Sequence, residues 1–274
     1  MLLALMAVLT IPIPAYAGEI ETGEGIELDS CRILDIPFDS VSVDSTFREI
    51  INDAFGPGEY LRFDLKYSFI TPGYAEMSVD SVFDYNDRLC YSINTRASSY
   101  GFFDKVFMVR DSGLTYMDAW GLFPWRFEKH LREGGYTANV HQEFDQYRGI
   151  AYEEADTVLV HRYIQDVLSS LYYVRTMDLD VGDTVEITNY NDRECYNLTV
   201  IVHEREEIEV DAGKFDCLKI EPLLKSAGLF KHEGRLTVWL TDDRLKMPVL
   251  MKSKVLVGHI AAELTEFRLG ELIY

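Results

Sequence analysis

Positive charge is scarce in this chain. Its 274 residues carry 26 Lys and Arg against 46 Asp and Glu, a net charge of -20. A field of that sign repels nucleic-acid phosphates and anionic lipid headgroups, so no nucleic-acid partner is expected. The plain use of such a surface is to keep an exported protein soluble. Cysteine is scarce too, with Cys31, Cys90, Cys195 and Cys217 only. No Cys-x-x-Cys pair is present, so neither a zinc knuckle nor a thioredoxin-like redox pair is supported. An oxidising compartment permits disulfides, and four cysteines leave three pairings open. Catalytic signatures are missing: there is no Gly-x-Ser-x-Gly elbow, no His-Glu-x-x-His and no phosphate-cradling glycine loop. The six histidines (His130, His141, His161, His203, His232, His259) are scattered and form no pair at metal-ligand spacing. No metal or cofactor is therefore expected. Beyond the first residues no stretch is long and apolar enough to cross a bilayer, so no integral membrane span is expected.

Hydrophobic residues make up 47% of the chain and aromatics 13%, which excludes a disordered protein. At this length roughly 70–75% of the unfolded surface would be buried on folding. Residues 1–17 read as a signal peptide: Met1–Thr10 is apolar and Ala15-Tyr16-Ala17 has the small-x-small pattern of a cleavage site before Gly18. The usual charged start is missing, since no Lys or Arg precedes Arg32. Leu28-Asp29-Ser30-Cys31 superficially resembles a lipid-attachment box, but Asp29 stands where a small residue is wanted. Residues 18–40 form an acidic segment, and residues 41–274 read as a single β-rich domain. Near its start, Asp44 or Ser45 caps an expected short helix with Phe47, Ile50, Ile51 and Ala54 on its apolar face.

Strands dominate the remainder. Leu61, Phe63, Leu65, Tyr67 and Phe69 alternate with Arg62, Asp64, Lys66 and Ser68, a period of two with one face buried. Turn signals follow at Thr71-Pro72-Gly73, Asn86-Asp87, Asp111-Ser112-Gly113, Gly134-Gly135, Asn191-Asp192, Val210–Gly213 and Asp242-Asp243. Two strand groups, about 58–160 and 181–268, are joined by one helical stretch over 163–175. There Ile164, Val167, Leu168 and Leu171 fall on one face, while Gln165, Asp166, Ser169 and Ser170 form the polar face. Strands linked by short turns are antiparallel, and a sheet of about a dozen must curl, split or close. The expected fold is mainly β: a strongly bent antiparallel sheet or open β-barrel or half-barrel, with the central helix packed on its concave side. Ile164, Asp166, Leu168, Leu171 and Arg175 are its structural residues. Arg175 complements the helix dipole and is placed to meet a carboxylate.

Three chemistries compete. Trp120, Trp125, Phe127, Tyr136, Tyr173 and Trp239 could line a concave wall for lipid tails or sugar rings; Trp125, Phe127, Tyr173 and Trp239 are the ligand-binding candidates. Packing in an aromatic-rich core is the plainer explanation for most of them. Trp239 faces away from Leu236, Val238 and Leu240. His232, Glu233, Asp242 and Asp243 could gather as the acid–base groups of a hydrolase. A solvated turn explains Asp242-Asp243 more simply. Ser169 beside Asp166 lacks a visible base.

The run Gln165–Arg175, Val181-Gly182, and Gly234–Arg244 with Pro248-Val249 resemble the bacterial exported proteins of domain-of-unknown-function family 3108. The strand from Glu59 and the Val210–Phe215 turn fit as well. The resemblance runs over roughly Gly58 to Phe267. It implies a β-rich protein in the envelope of a Gram-negative-type bacterium and brings no catalytic residues with it. The function expected is that of a soluble periplasmic, non-catalytic protein binding an apolar or glycan ligand, or an envelope protein. A hydrolase acting near 232–243 and a structural assembly protein without a small ligand are the rivals.

Overall fold

The computed structural model describes residues 32–33, 45–225, 236–254 and 259–273. The signal peptide, most of the acidic segment, Cys31, His232 and Glu233 lie outside the described residues. In chain order the strands are β1 (Arg32–Ile33), β2 (Tyr60–Tyr67), β3 (Ile70–Tyr85), β4 (Arg88–Ser99), β5 (Arg110–Asp118), β6 (Pro124–Glu133), β7 (Tyr136–Asp145), β8 (Ile150–Glu153) and β9 (Asp156–Leu159). The second group is β10 (Thr184–Asn191), β11 (Glu194–Val210), β12 (Gly213–Lys225), β13 (Leu236–Thr241), β14 (Pro248–Lys254) and β15 (His259–Arg268). Two helices interrupt them, α1 (Gly101–Val106) and α2 (Val167–Arg175).

All fifteen strands belong to one antiparallel sheet in the order β1-β9-β8-β7-β6-β5-β4-β3-β2-β15-β14-β13-β12-β11-β10. Each group is a meander of hairpins, and the groups join where β15 pairs with β2, from Ile260 opposite Tyr67 to Arg268 opposite Tyr60. The last strand of the chain thus adds to the first strand of the meander. The free edge of β10 turns back toward β8 and β9. Arg193 forms ion pairs with Glu153, Glu154 and Asp156, and the Phe144 and Tyr190 rings meet at 6.0 Å. These side chains, with a single parallel bridge from Gln165 to Asn189, hold the edges of the open sheet together.

The period-two pattern of β2 holds as far as Leu65: Leu61, Phe63 and Leu65 are buried. Phe69 departs from it, being 94% exposed, because the strand ends at Tyr67 and Ser68 takes a left-handed turn conformation (φ 55°). The short helix expected over 44–55 is absent from residues 45–55. Their polar groups find partners elsewhere. The Arg48 amide donates to the Tyr163 hydroxyl, the Ile50 amide to the Trp120 carbonyl, and the Asn52 side chain accepts from the Ala54 and Phe55 amides. Asx turns of this kind compete with helix. Ile51, assigned to the apolar face, is 86% exposed, while Phe55 and Ala54 are buried.

Helix α2 sits inside the curl. It starts at Val167, not Tyr163, for two local reasons. Tyr163 is in the left-handed region (φ 64°), and Gln165 is spent on β10, its amide donating to the Thr188 carbonyl and its carbonyl accepting from the Tyr190 amide. Leu168, Tyr172 and Val174 are buried in the same core as Leu61, Phe63, Phe127, Val200, Val238 and Leu264, which come from both strand groups. Ile164 is fully buried though it precedes the helix, and Leu171 is half-buried against the core.

The helix is anchored at its last residue. Arg175 donates from both terminal nitrogens to Glu59, each at 2.7 Å, and also to the carbonyls of Ala54 (3.2 Å) and Leu245 (3.1 Å). Its guanidinium lies over the Phe55 and Tyr172 rings. Burial alone would depress the Arg175 pKa, but the Glu59 carboxylate outweighs it and holds the value above the ordinary one. Removing one partner of such a pair leaves a buried charge uncompensated. Glu59→Gln is expected to cost about 3–5 kcal/mol in urea unfolding at neutral pH. The double change Glu59→Leu/Arg175→Leu is expected to cost clearly less than the two single changes added together. Additive costs would show that the pair does not act as a unit.

Candidate functional site

The polar residues of the central segment, read from the sequence as its wet face, are all inside: Gln165, Asp166, Ser169 and Ser170 are buried. The sequence pattern shows which residues share a face but not that strands enclose the helix on every side. Asp166, Ser169 and Ser170 each have structural partners, and Gln165 Nε2 donates to the Leu122 carbonyl at 2.9 Å. Asp166 Oδ1 accepts from the amides of Leu168 (2.7 Å) and Ser169 (2.8 Å), and Ser169 Oγ accepts from the Asp166 amide at 3.0 Å. This reciprocal capping box satisfies the first turn of α2. Thr115 Oγ1 donates to Asp166 Oδ2 at 2.6 Å, and Ser170 pairs with Asn189 at 2.8 Å. The Ser169 hydroxyl is thus part of the cap and has no histidine among its partners. Burial pushes the Asp166 carboxyl up to about 6, against the pull of the Thr115 hydroxyl and the Ser169 and Leu168 amides.

The aromatic candidates do not gather around one cavity. Trp125 packs with Phe123 and Cys90, flanked by Phe47 and Tyr147, and its Nε1 donates to Asp118 at 3.1 Å. Phe127 is in the main core beside α2. Tyr173 is half-buried, and the Arg48 guanidinium lies over both its ring and the Tyr163 ring, 4.6 Å from each. Trp239 lies in a separate cluster with Cys217, Val249 and Leu250, on the opposite face from Val238 and Leu240. Its Nε1 donates to Glu206 at 2.8 Å, with Lys219 and Lys252 over its ring.

Two residues that sequence reasoning missed organise this region. Asp118 is fully buried and accepts a two-pronged contact from Arg88 (2.7 and 2.8 Å), the Trp125 indole and the amides of Trp120 and Gly121. Glu59 receives Arg175. Both sit beside turn-forming sequence, Trp120-Gly121 and Gly56-Pro57-Gly58, and nothing in the local pattern distinguishes them from solvated turn acids.

At the C-terminal end of α2 a cleft of about 550 Å³ opens, lined by Asp53, Asp178, Asp180, Asp183, Asp242 and Asp243 with Arg205, Arg244 and Lys246. Its charges are largely tied to one another or to the backbone. Arg205 bridges Asp180 and Asp242 at 2.9 and 2.7 Å, and Arg244 donates to the Asp53 carbonyl. Asp243 Oδ1 accepts from the Thr241 hydroxyl and from the amides of Leu245 and Lys246, as a turn residue does. Among the described residues no group of three or more His, Cys, Asp and Glu is placed to hold a metal ion, and no helix is long and apolar enough to cross a membrane. Cys195 is disulfide-bonded, while Cys90 and Cys217 are free and buried. Burial raises both free thiols, Cys217 to about 12, so neither is poised as a nucleophile.

The capping box has a measurable signature. Because folding raises the Asp166 carboxyl from 3.8 to about 6, its ionisation opposes folding, and that opposition grows as pH rises between those values. Asp166→Asn keeps the acceptor for the two amides and donates to Thr115 instead, leaving the Thr115 hydroxyl to donate to the Arg126 carbonyl at 3.1 Å. It is expected to flatten the fall in stability from pH 4 to pH 6 relative to the unsubstituted protein. Asp166→Ala is expected to lose about 1–2 kcal/mol with the cap. Urea midpoints across that pH range decide. An unchanged slope in Asp166→Asn would exclude Asp166 as its source.

Comparison with known proteins agrees with this architecture. A crystal structure of a beta-barrel-like protein of domain of unknown function DUF1849 from Brucella abortus superposes with a TM-score of 0.56 at 12% identity, covering 80% of this chain and 99% of that one. A candidate lipoprotein from Parabacteroides distasonis is more distant, with a TM-score of 0.37 at 12% identity over 82% of this chain and 100% of that one. The first supports the fold alone, and the second carries no argument. The comparison with curated proteins finds no match. The sequence itself matches the family described as protein of unknown function (DUF3108) over residues 62–265. That span takes in the sheet from β2 to β15 together with α2, and the chain belongs to the DUF3108 family.

Proposed function

We propose that this is a non-catalytic protein of the bacterial cell envelope that works through its outer surface on an envelope partner, with its interior given over to structure. The observation that carries this reading is the packing of α2. Leu168, Tyr172 and Val174 fill the space between the two strand groups, and Arg175 is sealed in by Glu59. A ligand within the curl would have to displace a helix held by a capping box and a buried ion pair. The groups that could do chemistry are already engaged: Asp166 and Ser169 in the cap, Asp243 in a turn, Asp118 with Arg88 and Trp125. That occupation favours the non-catalytic reading over a hydrolase near 232–243, and over a carrier using Trp125, Phe127, Tyr173 and Trp239, which divide among three clusters with only Phe127 and Tyr173 sharing one.

An envelope location is supported by the apolar N-terminal run with its Ala15-Tyr16-Ala17 site and by the disulfide at Cys195, which requires an oxidising compartment. The periplasm of a Gram-negative-type bacterium meets both conditions. Native mass spectrometry of the protein purified from that compartment tests the reading. The expected spectrum shows the processed chain without a co-purified small molecule. A stoichiometric lipid or glycan that survives desalting would overturn it in favour of a carrier.

A further inference from the structure

Antiparallel hairpins alternate between the two ends of the curl, and the two ends differ in chemistry. One end holds the β2–β3 turn at Ser68-Phe69, the β4–β5 connection with α1, and the β6–β7 turn at Gly134-Gly135. The other holds the Asp242–Lys246 turn and the acidic cleft. At the first end Phe69 is 94% exposed and Phe102 71%, and Tyr100, Val106, Phe107 and Tyr136 are exposed with them. Helix α1 buries none of its six residues. The tips form one band. The Tyr100 amide donates to the Pro72 carbonyl, the Tyr74 and Tyr100 rings stack, and the Phe107 ring covers Gly134, where even a Cβ would come within 2.8 Å of it. Among the described residues at this end, the tips Glu154-Ala155 and Asp192-Arg193 are polar, and the exposed aromatics fall between β2 and β7.

Charge decides what this band faces. Lys105, Arg132 and Lys254 stand exposed at the same end and form no ion pair with an acidic side chain among the described residues. Of the acids at this end, Asp104 is paired with Arg110 and Glu263 with Lys66, and Asp111 is buried and accepts from the Arg132 amide. Glu133 is raised to about 7 by burial and by Asp111 beside it, so it carries only part of its charge at neutral pH. The acidic cleft lies a strand length off, about 25 Å for eight residues, and salt screens charges beyond about 8 Å at physiological strength. At the other end, exposed Ile51 and Trp120 share the surface with Glu49, Asp53 and Asp87. Protruding aromatic tips interleaved with unpaired cations suit a deformable anionic surface.

We propose that the Phe69–Phe102–Phe107 rim docks on the surface of a lipid bilayer carrying anionic headgroups, holding the protein at the membrane face by its loop tips. This rests on the reading that function lies on the outer surface. A co-purified interior ligand would overturn that reading whatever the vesicle result, while the vesicle result decides this proposal on its own.

The test is flotation of the full mature chain with vesicles of phosphatidylglycerol mixed with phosphatidylethanolamine, against vesicles of phosphatidylcholine. The unsubstituted protein is expected to float with the anionic vesicles and to be released by salt. Phe69→Ser/Phe102→Ser is expected to bind about tenfold more weakly with a nearly unchanged thermal melt, since both rings are largely exposed and Phe102 meets the neighbouring Phe103 ring. Lys105→Glu/Arg132→Glu is expected to lose the preference for anionic vesicles. An unsubstituted protein that does not float, or a serine variant that floats equally well, would overturn the proposal. So would a dimer seen by sedimentation that the serine variant converts to monomer without any vesicle binding, since the rim would then face a second copy of the chain.

Discussion

Everything in this fold hangs from a guanidinium placed where water cannot reach it. Arg175 ends α2 in the middle of the curled sheet, and two oxygens of Glu59 meet it in parallel. An isolated charge there would be very costly, so the pair is tolerated only because both partners are held in register. That requirement reaches outward. Glu59 immediately precedes β2, the strand where the two groups of hairpins join, and the carbonyls of Ala54 and Leu245 fill the remaining donors of Arg175. One side chain thereby ties the helix, the entry to β2 and the β13–β14 turn together. Such a pair adds little net stability over well-packed apolar residues of similar volume, yet losing one partner is costly.

The helix so placed explains why a large open sheet can persist without closing. Among the described residues its two edges meet through the Arg193 contacts, the Lys129–Asp192 ion pair, the Phe144–Tyr190 ring pair and the Gln165–Asn189 bridge. These are few against the continuous ladders elsewhere, and the exposed ion pairs among them contribute little. The core packed around Leu168, Tyr172 and Val174 draws on both groups at once, so curling the sheet buries the helix and burying the helix curls the sheet. The same arrangement turns chemically capable groups into structural ones. A carboxylate and a serine three residues apart would draw notice in an open cleft. Here they satisfy the first turn of a helix that has no solvent to satisfy it.

Much of the architecture was legible in the residues. Alternation through Leu61, Phe63 and Leu65, most of the turn signals and the helical period around Leu168 were enough for an antiparallel, curled β fold with one central helix, although Thr71-Pro72-Gly73 and Asp111-Ser112-Gly113 lie inside β3 and β5 rather than at turns. The opposition of Trp239 to Val238 and Leu240 follows from the period of two alone. Legibility failed where a local pattern met a distant partner. The expected helix near residue 50 did not form because Arg48, Ile50 and Asn52 are bonded to Tyr163, Trp120 and Tyr91, more than thirty residues away. Phe69 continued an apolar alternation past the point where the hairpin turned.

By itself the sequence determined the class of fold, its antiparallel connectivity and the family, because periodicity and turn chemistry act over a few residues and survive without knowledge of the rest. Only the tertiary structure decided which faces are inside. Gln165, Asp166, Ser169 and Ser170 form a polar face in any helix, but they are buried because strands from both halves of the chain surround them. The aromatic candidates were likewise dispersed into separate clusters, and apolar tips distant in sequence were collected at one end. Burial is a property of what packs against a residue, and those partners are set by closure of the sheet over hundreds of residues.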